Sequence, residues 1–317
     1  GSIIGTFLPT FVTIPAVGTS VTFLIFSGIL LVLGLVYFIS ARTKLAKCIV
    51  SVVLFLVCSV SAFFDSFAFW ETNLLYEGES IYNYLQVKED EDNVILSTNV
   101  LFGVQSVMPK SGGLTGMYYD YALAAPLMAG VSEKEDFNIL ILGMGTGTYA
   151  KQCLEYFDGV TVEGVEIDQK ITDLAGEYFE LPEEVKVTTY DGRAYLGAVD
   201  ETYDVIMVDA YQDITIPFQM SSQEFFTMVR DHLKEDGVMV VNMNMHTDEE
   251  GNINQYLSDT IASVFDTVYT VDVAHTTNRE LFASRTDAGI RRFGEEAAAL
   301  EDSELKEMMQ TVDAQMQ

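Results

Sequence analysis

The chain has few of the residues that form disulfide frameworks and zinc sites. Its 317 residues include only three cysteines and three histidines. Cys48 and Cys58 lie in apolar sequence, and Cys153 follows a glycine-rich turn. No Cys-x-x-Cys pair and no Cys/His spacing typical of a zinc site occurs, so the sequence indicates neither a disulfide framework nor a metal centre.

Basic residues are scarce as well. The chain has 17 basic and 47 acidic residues and a formal charge of −30. Only three basic residues and one acidic residue fall within residues 1–65, so the remainder has 14 basic and 46 acidic groups, a net charge of −32. Such a surface repels phosphate backbones, which argues against a nucleic-acid partner, and it attracts cations such as polyamines. Selection for solubility in an acidic proteome explains the charge equally well.

Residues 1–64 contain almost no charge and are too long for a cleaved signal peptide. Residues 20–39 are apolar or small, which is enough to cross a hydrocarbon core of about 30 Å. Residues 48–64 form a shorter second candidate. Gly1 and Gly5 have the spacing of a packed membrane helix, and the chain starts without methionine. We therefore expect the C-terminal part of a larger, multi-pass membrane protein, with membrane lipid as a partner.

The orientation in the membrane is left open. The loop at residues 41–47 contains all the basic residues of this region, which favours a cytoplasmic position for the loop. A crossing by residues 48–64 would then place the acidic domain outside. An acidic domain outside the cell could not use a cytosolic cofactor. The conflict disappears if residues 48–64 lie in the membrane interface or form a re-entrant segment.

Residues 137–168 predict a strand, a glycine turn, a helix and a second strand. Glycines are needed where the backbone turns sharply and approaches a ligand closely. An acidic residue about 20 positions later, at the tip of the next strand, can accept hydrogen bonds from both ribose hydroxyls of a nucleoside. The alternative is a crossover unit that binds no ligand. The predicted nucleoside-binding residues are Gly143, Gly145, Thr146, Gly147, Glu166 and Asp168.

Later apolar runs, each ending in polar residues, predict further parallel strands, and two more predict a closing antiparallel pair. We therefore expect an α/β fold with a doubly wound, mostly parallel, seven-stranded Rossmann-like sheet of the class I methyltransferase type. The predicted later strands are residues 185–189, 205–209, 237–242, 267–273 and 281–284.

Five segments are predicted along the chain. Transmembrane helices occupy residues 1–64 and a connector residues 65–79. A small antiparallel β-unit covers residues 80–116, and the Rossmann-like domain covers residues 117–289. An acidic amphipathic helix occupies residues 290–317.

Acidic residues stand where several of the predicted strands end. Ligands of doubly wound sheets bind at the carboxyl ends of the strands. Asp209 follows one apolar run directly. A carboxylate there could orient an attacking ammonium and take its proton, or it could merely cap the strand.

The order of these motifs resembles the spermidine synthase family, specifically its members fused to membrane helices. The resemblance covers about residues 76–285. Val165-Glu-Ile-Asp168 matches a family signature. Two further motifs stand where the family has Ser-x-Tyr-Gln and Tyr-His-Glu, and they are Ser80-Ile-Tyr82-Asn83 and Tyr118-Tyr119-Asp120.

The resemblance implies transfer of an aminopropyl group to a polyamine-type amine. The cofactor would be S-adenosylmethionine or its decarboxylated form, with no metal and with a homodimer as a candidate assembly. Glu166 would hold the ribose, Asp191 and the adjacent Gly192 the adenine, and Asp209 would be the catalytic carboxylate. The residues implied to bind the amine are Tyr82, Asn83, Tyr119, Asp120, Tyr211 and Asp213.

Two departures from the family leave alternatives open. Thr146 stands where the family has an Asp that binds the aminopropyl amine, and the loop looks more like that of class I methyltransferases. The family's Tyr-Pro-x-Gly-x-Trp gate is missing, with Thr276-Thr-Asn-Arg279 in its place. One alternative is a methyltransferase or other transferase using intact S-adenosylmethionine. A second is a non-catalytic ligand-binding domain that regulates the membrane part.

Overall fold

The computed structural model describes residues 1–42, 44–64, 68, 70–98, 103–210, 216–244 and 251–317. These residues form two compact units, 1–88 and 89–317. Tyr211 and Asp213, two residues predicted to bind the amine, lie outside the described residues. The boundaries of the five predicted segments stay predictions.

The first unit begins with apolar helices joined by a π-helical turn at Pro9–Thr13. Gly18 interrupts the second helix with φ +78°, a left-handed value that favours glycine. The helices are α1 (Ser2–Leu8), α2 (Ile14–Ser40) and α3 (Leu45–Phe64).

Among the described residues, one apolar helical stretch, Ser2–Ser40, is long enough to cross a membrane by length and composition. Leu45–Ser61 is a shorter apolar helix. The expectation of a multi-pass protein is therefore not supported, and a single candidate span remains.

An antiparallel hairpin of β1 (Leu74–Glu79) and β2 (Tyr84–Glu89) follows in the chain. In its turn, the Ser80 hydroxyl accepts hydrogen bonds from the backbone N–H groups of Tyr82 at 3.0 Å and Asn83 at 2.9 Å. The predicted connector thus contains a strand. Its sequence, LLYEGE, has a glycine and two acidic residues and does not alternate, so pattern alone did not indicate β-structure.

In the second unit, β3 (Asn93–Thr98) and β4 (Ser106–Pro109) pair antiparallel and confirm the predicted small antiparallel strands. The seven-stranded sheet is confirmed as well, with strand order β10-β11-β9-β8-β5-β6-β7. The five neighbouring strands β9, β8, β5, β6 and β7 run parallel to one another, and β11 pairs antiparallel with both β9 and β10. The strands are β5 (Phe137–Leu142), β6 (Val160–Glu166), β7 (Lys186–Thr189), β8 (Tyr203–Val208), β9 (Leu233–Met243), β10 (Thr267–Asp272) and β11 (Arg279–Ser284).

Helices cover both faces of the sheet, as the doubly wound pattern predicts. Their apolar sides pack on strands such as β8, which is buried along its whole length. The helices are α4 (Tyr118–Ala122), α5 (Ala124–Met128), α6 (Thr148–Tyr156), α7 (Gln169–Tyr178), α8 (Gly192–Leu196), α9 (Gln223–Asp231), α10 (Ile253–Ala262), α11 (Ala288–Ala299) and α12 (Ser303–Gln315).

The predicted single C-terminal helix is wrong, because residues 290–317 contain a break between α11 and α12. Leu300 has extended backbone angles, φ −54° and ψ 136°, and ends the first helix. Asp302 then starts the second helix by accepting a hydrogen bond from the Leu305 N–H at 2.8 Å.

A buried ion-pair cluster holds the amino end of the sheet together. Asp204, near the start of β8, has no exposed surface. Its carboxylate accepts hydrogen bonds from Lys134 Nζ at 2.7 Å, Lys234 Nζ at 2.6 Å and the Asn138 N–H at 2.8 Å. Burial by itself would raise the pKa of Asp204, but these donors lower it below its ordinary value.

We expect Asp204→Ala to lower the free energy of unfolding by about 3 kcal/mol at pH 7, because it leaves two lysines without their shared partner. Since the folded-state pKa of Asp204 is lowered, its contribution is present above the unfolded pKa of about 4 and disappears as the pH falls through the lower folded value. Urea unfolding of the full chain in detergent at pH 7 and at pH 3 measures both effects. The exposed Asp200→Ala is the control, and equal stabilities of the two variants at pH 7 would contradict this role.

Candidate active site

The predicted strand, glycine turn and helix are present between β5 and α6. Gly143, Gly145 and Gly147 have φ values of +87°, +58° and +85°, in the left-handed region. A Cβ atom on Gly143 would lie 2.7 Å from the backbone of Ala210, too close for any side chain. The turn therefore requires glycine at position 143, where its backbone packs directly against the backbone that follows β8.

Glu166, the last residue of β6, faces this glycine turn. One carboxylate oxygen accepts a hydrogen bond from the Gly145 N–H at 2.9 Å, and the other accepts one from the Asp168 N–H at 3.1 Å. Burial raises the pKa of Glu166 above its ordinary value. A carboxylate has about four acceptor positions, so these backbone donors, together with the Ile167 N–H, leave part of its acceptor capacity for a ribose.

Asp168 and Asp191 stand at the carboxyl ends of β6 and β7 and cap the helices that follow. Asp168 accepts a hydrogen bond from the Lys170 N–H at 3.0 Å, and Asp191 accepts one from the Ala194 N–H at 2.8 Å. Gly192 directly follows Asp191 and begins α8. The caps fix both carboxylates at the edge of the sheet where the glycine turn lies, and their roles toward a nucleoside stay predictions.

Asp209 follows the last residue of β8 and is nine-tenths buried. It accepts hydrogen bonds from the Tyr118 hydroxyl at 2.6 Å and from Asn242 Nδ2 at 2.9 Å. Burial, opposed by these two donors, raises the pKa of Asp209 to about 7, with a smaller contribution from the charge of Glu166. A carboxyl group with this pKa can both take and release a proton near neutral pH.

The strand register places the polar residues of this edge in one row. The side-by-side residues of β6, β5, β8 and β9 are Val165, Leu142, Val208 and Val241. The residues one position further along these four strands therefore also lie side by side. Glu280 of β11 pairs with Asn242 of β9 and adds a fifth member to this row. In sheet order the row is Glu166, Gly143, Asp209, Asn242 and Glu280.

Thr146 lies inside the glycine turn and is 1% exposed. Its backbone N–H donates to the Ser106 hydroxyl at 3.4 Å. Its own hydroxyl has no hydrogen-bond partner among the described residues. A buried hydroxyl without a partner is uncommon, and a polar group of a bound ligand would satisfy it.

Tyr119 and Asp120 lie close to the row but are engaged in local contacts. The Tyr119 hydroxyl donates to a backbone carbonyl at 3.0 Å. Asp120 is 1% exposed and accepts hydrogen bonds from the Thr115 N–H at 2.9 Å, the Gly116 N–H at 2.6 Å and Gln152 Nε2 at 2.7 Å. These contacts hold the loop before α4, and a role of either residue in amine binding stays a prediction.

Tyr82 and Asn83 belong to the first unit, in the turn between β1 and β2. The Tyr82 side chain is exposed. Their predicted part in amine binding is not tested by the structure.

Sequence reasoning missed two residues that hold Asp209 in place. Tyr118 lies in the Tyr118-Tyr119-Asp120 motif, but the resemblance implies no role for it. Asn242 ends an apolar run, which is the same signal that pointed to Asp209. Neither contact could be read from the sequence, because Tyr118 is separated from Asp209 by 91 positions and Asn242 by 33.

Comparison with known proteins gives a consistent picture. The family profile described as "Spermine/spermidine synthase domain" matches residues 121–280. A probable polyamine aminopropyl transferase of Bifidobacterium longum is 64% identical over 257 residues, which are 80% of this chain and 57% of that protein. A polyamine aminopropyltransferase 1 of Aquifex aeolicus is 28% identical over 196 residues, 59% of this chain and 67% of that protein. This chain thus spans little more than half of the Bifidobacterium protein, and only 34% of an Oceanobacillus iheyensis polyamine aminopropyltransferase.

Solved structures show the same fold at low sequence identity. A spermidine synthase in complex with the transition-state analogue AdoDATO superposes with a TM-score of 0.62 at 19% identity, over 76% of this chain and 85% of that one. A probable spermidine synthase of Corynebacterium glutamicum gives a TM-score of 0.59 at 20% identity, over 75% and 94% of the two chains.

Proposed function

The chain belongs to the spermine/spermidine synthase family, and from that premise we propose that it transfers an aminopropyl group from decarboxylated S-adenosylmethionine to an amine. The observation that carries the proposal is the row at the carboxyl edge of the sheet. In this row Glu166 and Asp209 lie on either side of the glycine turn. This arrangement supports Glu166 as the acid that binds the ribose and Asp209 as the proton acceptor. A nucleoside bound at the turn would point its sulfonium toward Asp209.

The proposed reaction is a direct displacement at carbon. The lone pair of the amine nitrogen forms a bond to the propyl carbon as the bond from that carbon to sulfur breaks. The electron pair of the broken bond stays on sulfur, which gives methylthioadenosine. The proton that the nitrogen loses passes to Asp209, which can hold it because burial raises its pKa to about 7.

Tyr118 and Asn242 prepare Asp209 for this role. Each donates to a different oxygen of the carboxylate, so the plane of the group is fixed. The Asn242 amide is itself oriented, because its oxygen accepts a hydrogen bond from Asn278 Nδ2 at 2.8 Å. A fixed acceptor lowers the entropic cost of aligning the amine with the propyl carbon.

Calorimetric titration of the full chain with decarboxylated S-adenosylmethionine, S-adenosylmethionine and methylthioadenosine tests the proposal. We expect methylthioadenosine and the decarboxylated cofactor to bind. Binding of none of the three would contradict the proposal and favour a non-catalytic domain.

Thr146 favours a second candidate, a transferase that uses intact S-adenosylmethionine. Thr146 is neutral, so it does not repel the α-carboxylate of the intact cofactor. A carboxylate in its place would do so by on the order of 1 kcal/mol at close range. Its unpartnered hydroxyl could also donate to that α-carboxylate.

We expect Thr146→Asp to raise the preference for the decarboxylated over the intact cofactor by about tenfold, because the new charge repels one cofactor and attracts the ammonium end of the other. Dissociation constants of both cofactors measure the effect. Thr146→Asn, which has the shape of aspartate without its charge, is the matched control. The same preference in both variants would show that position 146 does not face the amino-acid end of the cofactor.

Two further proposals concern the surroundings of the domain. The apolar stretch Ser2–Ser40 supports contact with membrane lipid through one span. A homodimer stays a prediction, and the side of the membrane on which the acidic domain lies stays open.

A further inference from the structure

The apolar stretch Ser2–Ser40 is not one continuous helix. Gly18 has φ +78° and ψ 172°, so the regular helix is interrupted there and resumes at Thr19. The first N–H groups of a helix have no partner within that helix. At about 1.5 Å per residue, residues 19–40 are about 33 Å long, which is enough by itself to cross a hydrocarbon core of about 30 Å.

A carboxylate of the β1–β2 hairpin holds the start of this second helix. Glu79 Oε2 accepts a hydrogen bond from the Thr19 N–H at 2.8 Å. The negative charge of Glu79 also interacts favourably with the N-terminal end of the helix dipole. The two residues are 60 positions apart in the chain, and both belong to the compact unit of residues 1–88. The break in the apolar stretch therefore has a charged partner from outside that stretch.

A second acid of β1 holds the chain that follows α3. Glu77 Oε1 accepts a hydrogen bond from the N–H of the buried Ala68 at 3.0 Å. The pairing of β1 with β2 is regular from Tyr76 to Glu79, so Glu77 and Glu79 point to the same side of the strand. One side of β1 thus lies beside the start of the helix at residues 19–40 and beside the chain that leaves α3.

The charge of Glu79 bears on the depth of the break. If the whole stretch Ser2–Ser40 crossed a membrane as one helix, Gly18 and Glu79 would lie near the middle of the bilayer. Charged side chains are rare at that depth, because their removal from water is costly. The contact therefore favours a break at the membrane surface and a crossing by residues 19–40 alone.

The hairpin and the connector before it have large exposed apolar side chains. They are Trp70, Leu75, Ile81 and Tyr82. Tryptophan and tyrosine are enriched where lipid headgroups meet the hydrocarbon core, because their rings are amphipathic. These side chains belong to the strand and turn that contact the break at Gly18, so they are continuous with the candidate membrane span. A lipid surface is the partner that fits both their chemistry and this position.

We propose that the β1–β2 hairpin lies on the membrane surface as a second lipid contact, with Trp70, Leu75 and Ile81 inserted among the lipid headgroups. Glu79 and Glu77 hold the hairpin at this level, because they bind the start of the helix at residues 19–40 and the chain after α3. The inference rests on the proposed membrane span and adds where that span starts. It does not depend on the proposed transfer reaction.

The test uses the fluorescence of Trp70, which is the only tryptophan of the chain. The full chain is reconstituted in phosphatidylcholine vesicles whose acyl chains contain bromine, a contact quencher, either near the headgroup or near the chain end. We expect bromine near the headgroup to quench Trp70 at least about twice as strongly as bromine near the chain end, because interfacial aromatic rings lie at headgroup level. Stronger quenching by the deep bromine, or no quenching by either, would overturn the inference.

Variants of Glu79 test the contact itself. Glu79→Ala removes the acceptor of the Thr19 N–H and should lower the quenching of Trp70 by the headgroup bromine at least about twofold. Glu79→Gln keeps an oxygen that can accept this hydrogen bond and should retain most of the quenching. Glu91→Ala, exposed in the turn after β2, makes the same change in net charge as Glu79→Ala and should behave as the wild-type chain. Equal quenching in Glu79→Ala and the wild-type chain would refute the role of Glu79.

A second reporter distinguishes this inference from the proposed span. Leu30 is exposed near the middle of residues 19–40, and Leu30→Trp in a Trp70→Phe background should be quenched most by the deep bromine. If this reporter is quenched and Trp70 is not, the span stands and the hairpin contact is refuted. If neither is quenched and the chain does not float with the vesicles, both fall together. Emission of Trp70 that is unquenched but shifts to the blue with rising protein concentration would identify a second copy as the partner and overturn the inference.

Discussion

Asp209→Asn is expected to lower turnover by about 100-fold or more, which is the usual loss when a general base is removed. Asparagine keeps the size of the side chain and can still accept the hydrogen bond from the Tyr118 hydroxyl. It cannot take a proton, and it does not attract an ammonium. The affinity for the cofactor should change little, because the glycine turn and Glu166 hold the nucleoside on the other side of the row.

The pH dependence provides a second readout of Asp209. Burial raises its pKa to about 7, and the group acts as a base only when ionised. In the wild-type chain we therefore expect kcat at saturating amine to fall about tenfold per pH unit below pH 7. This dependence should be absent in Asp209→Asn and retained in the exposed control Asp200→Asn. Unaltered turnover in Asp209→Asn would reduce Asp209 to a cap of β8.

Glu166→Gln should weaken binding of methylthioadenosine by about 100-fold or more. Hydrogen bonds to a charged acceptor are worth about 1.5–3 kcal/mol each, and each 1.4 kcal/mol corresponds to a tenfold change in affinity. The substitution removes the charge that two ribose hydroxyls would share. It also places an amide N–H against a loop N–H, since both carboxylate oxygens accept from the backbone.

Calorimetry with methylthioadenosine measures this loss, and Asp173→Asn, an acid exposed on α7, is the control. Because Glu166 also holds the Gly145 N–H, a modest fall in melting temperature is expected beside the loss of affinity. Unchanged affinity would show that the nucleoside does not use Glu166. Failure of the variant to fold would assign Glu166 to the structure of the turn.

The sheet could be predicted because its signals are local. Each parallel strand is a short apolar run, the turn after β5 needs glycine, and Val165-Glu-Ile-Asp168 marks the tip of β6. Element ends were less accurate. The start of β1 at Leu74 depends on pairing with β2, which overrides weak local preferences. The break at Leu300 has a local signal in the cap residue Asp302, which the helical pattern of residues 290–317 masks.

The site was only partly accessible from the sequence because its geometry depends on register. Asp209 and Glu166 stand at the ends of apolar runs and could be named. Glu280 lies near the start of β11, just before the predicted strand at residues 281–284, and nothing in the sequence indicates that it shares a row with Asp209. Asp120 likewise gave no sign that it would accept hydrogen bonds from the loop before α4.

The most direct test of the central claim is a product analysis by mass spectrometry. The full chain is incubated with decarboxylated S-adenosylmethionine and 1,4-diaminobutane, and a parallel sample contains intact S-adenosylmethionine instead. We predict equal amounts of methylthioadenosine and of the amine extended by one aminopropyl group in the first sample, and none when Asp209→Asn replaces the wild-type chain over the same few turnovers. S-adenosylhomocysteine in the second sample, with no aminopropylated product in the first, would contradict aminopropyl transfer and identify a methyltransferase.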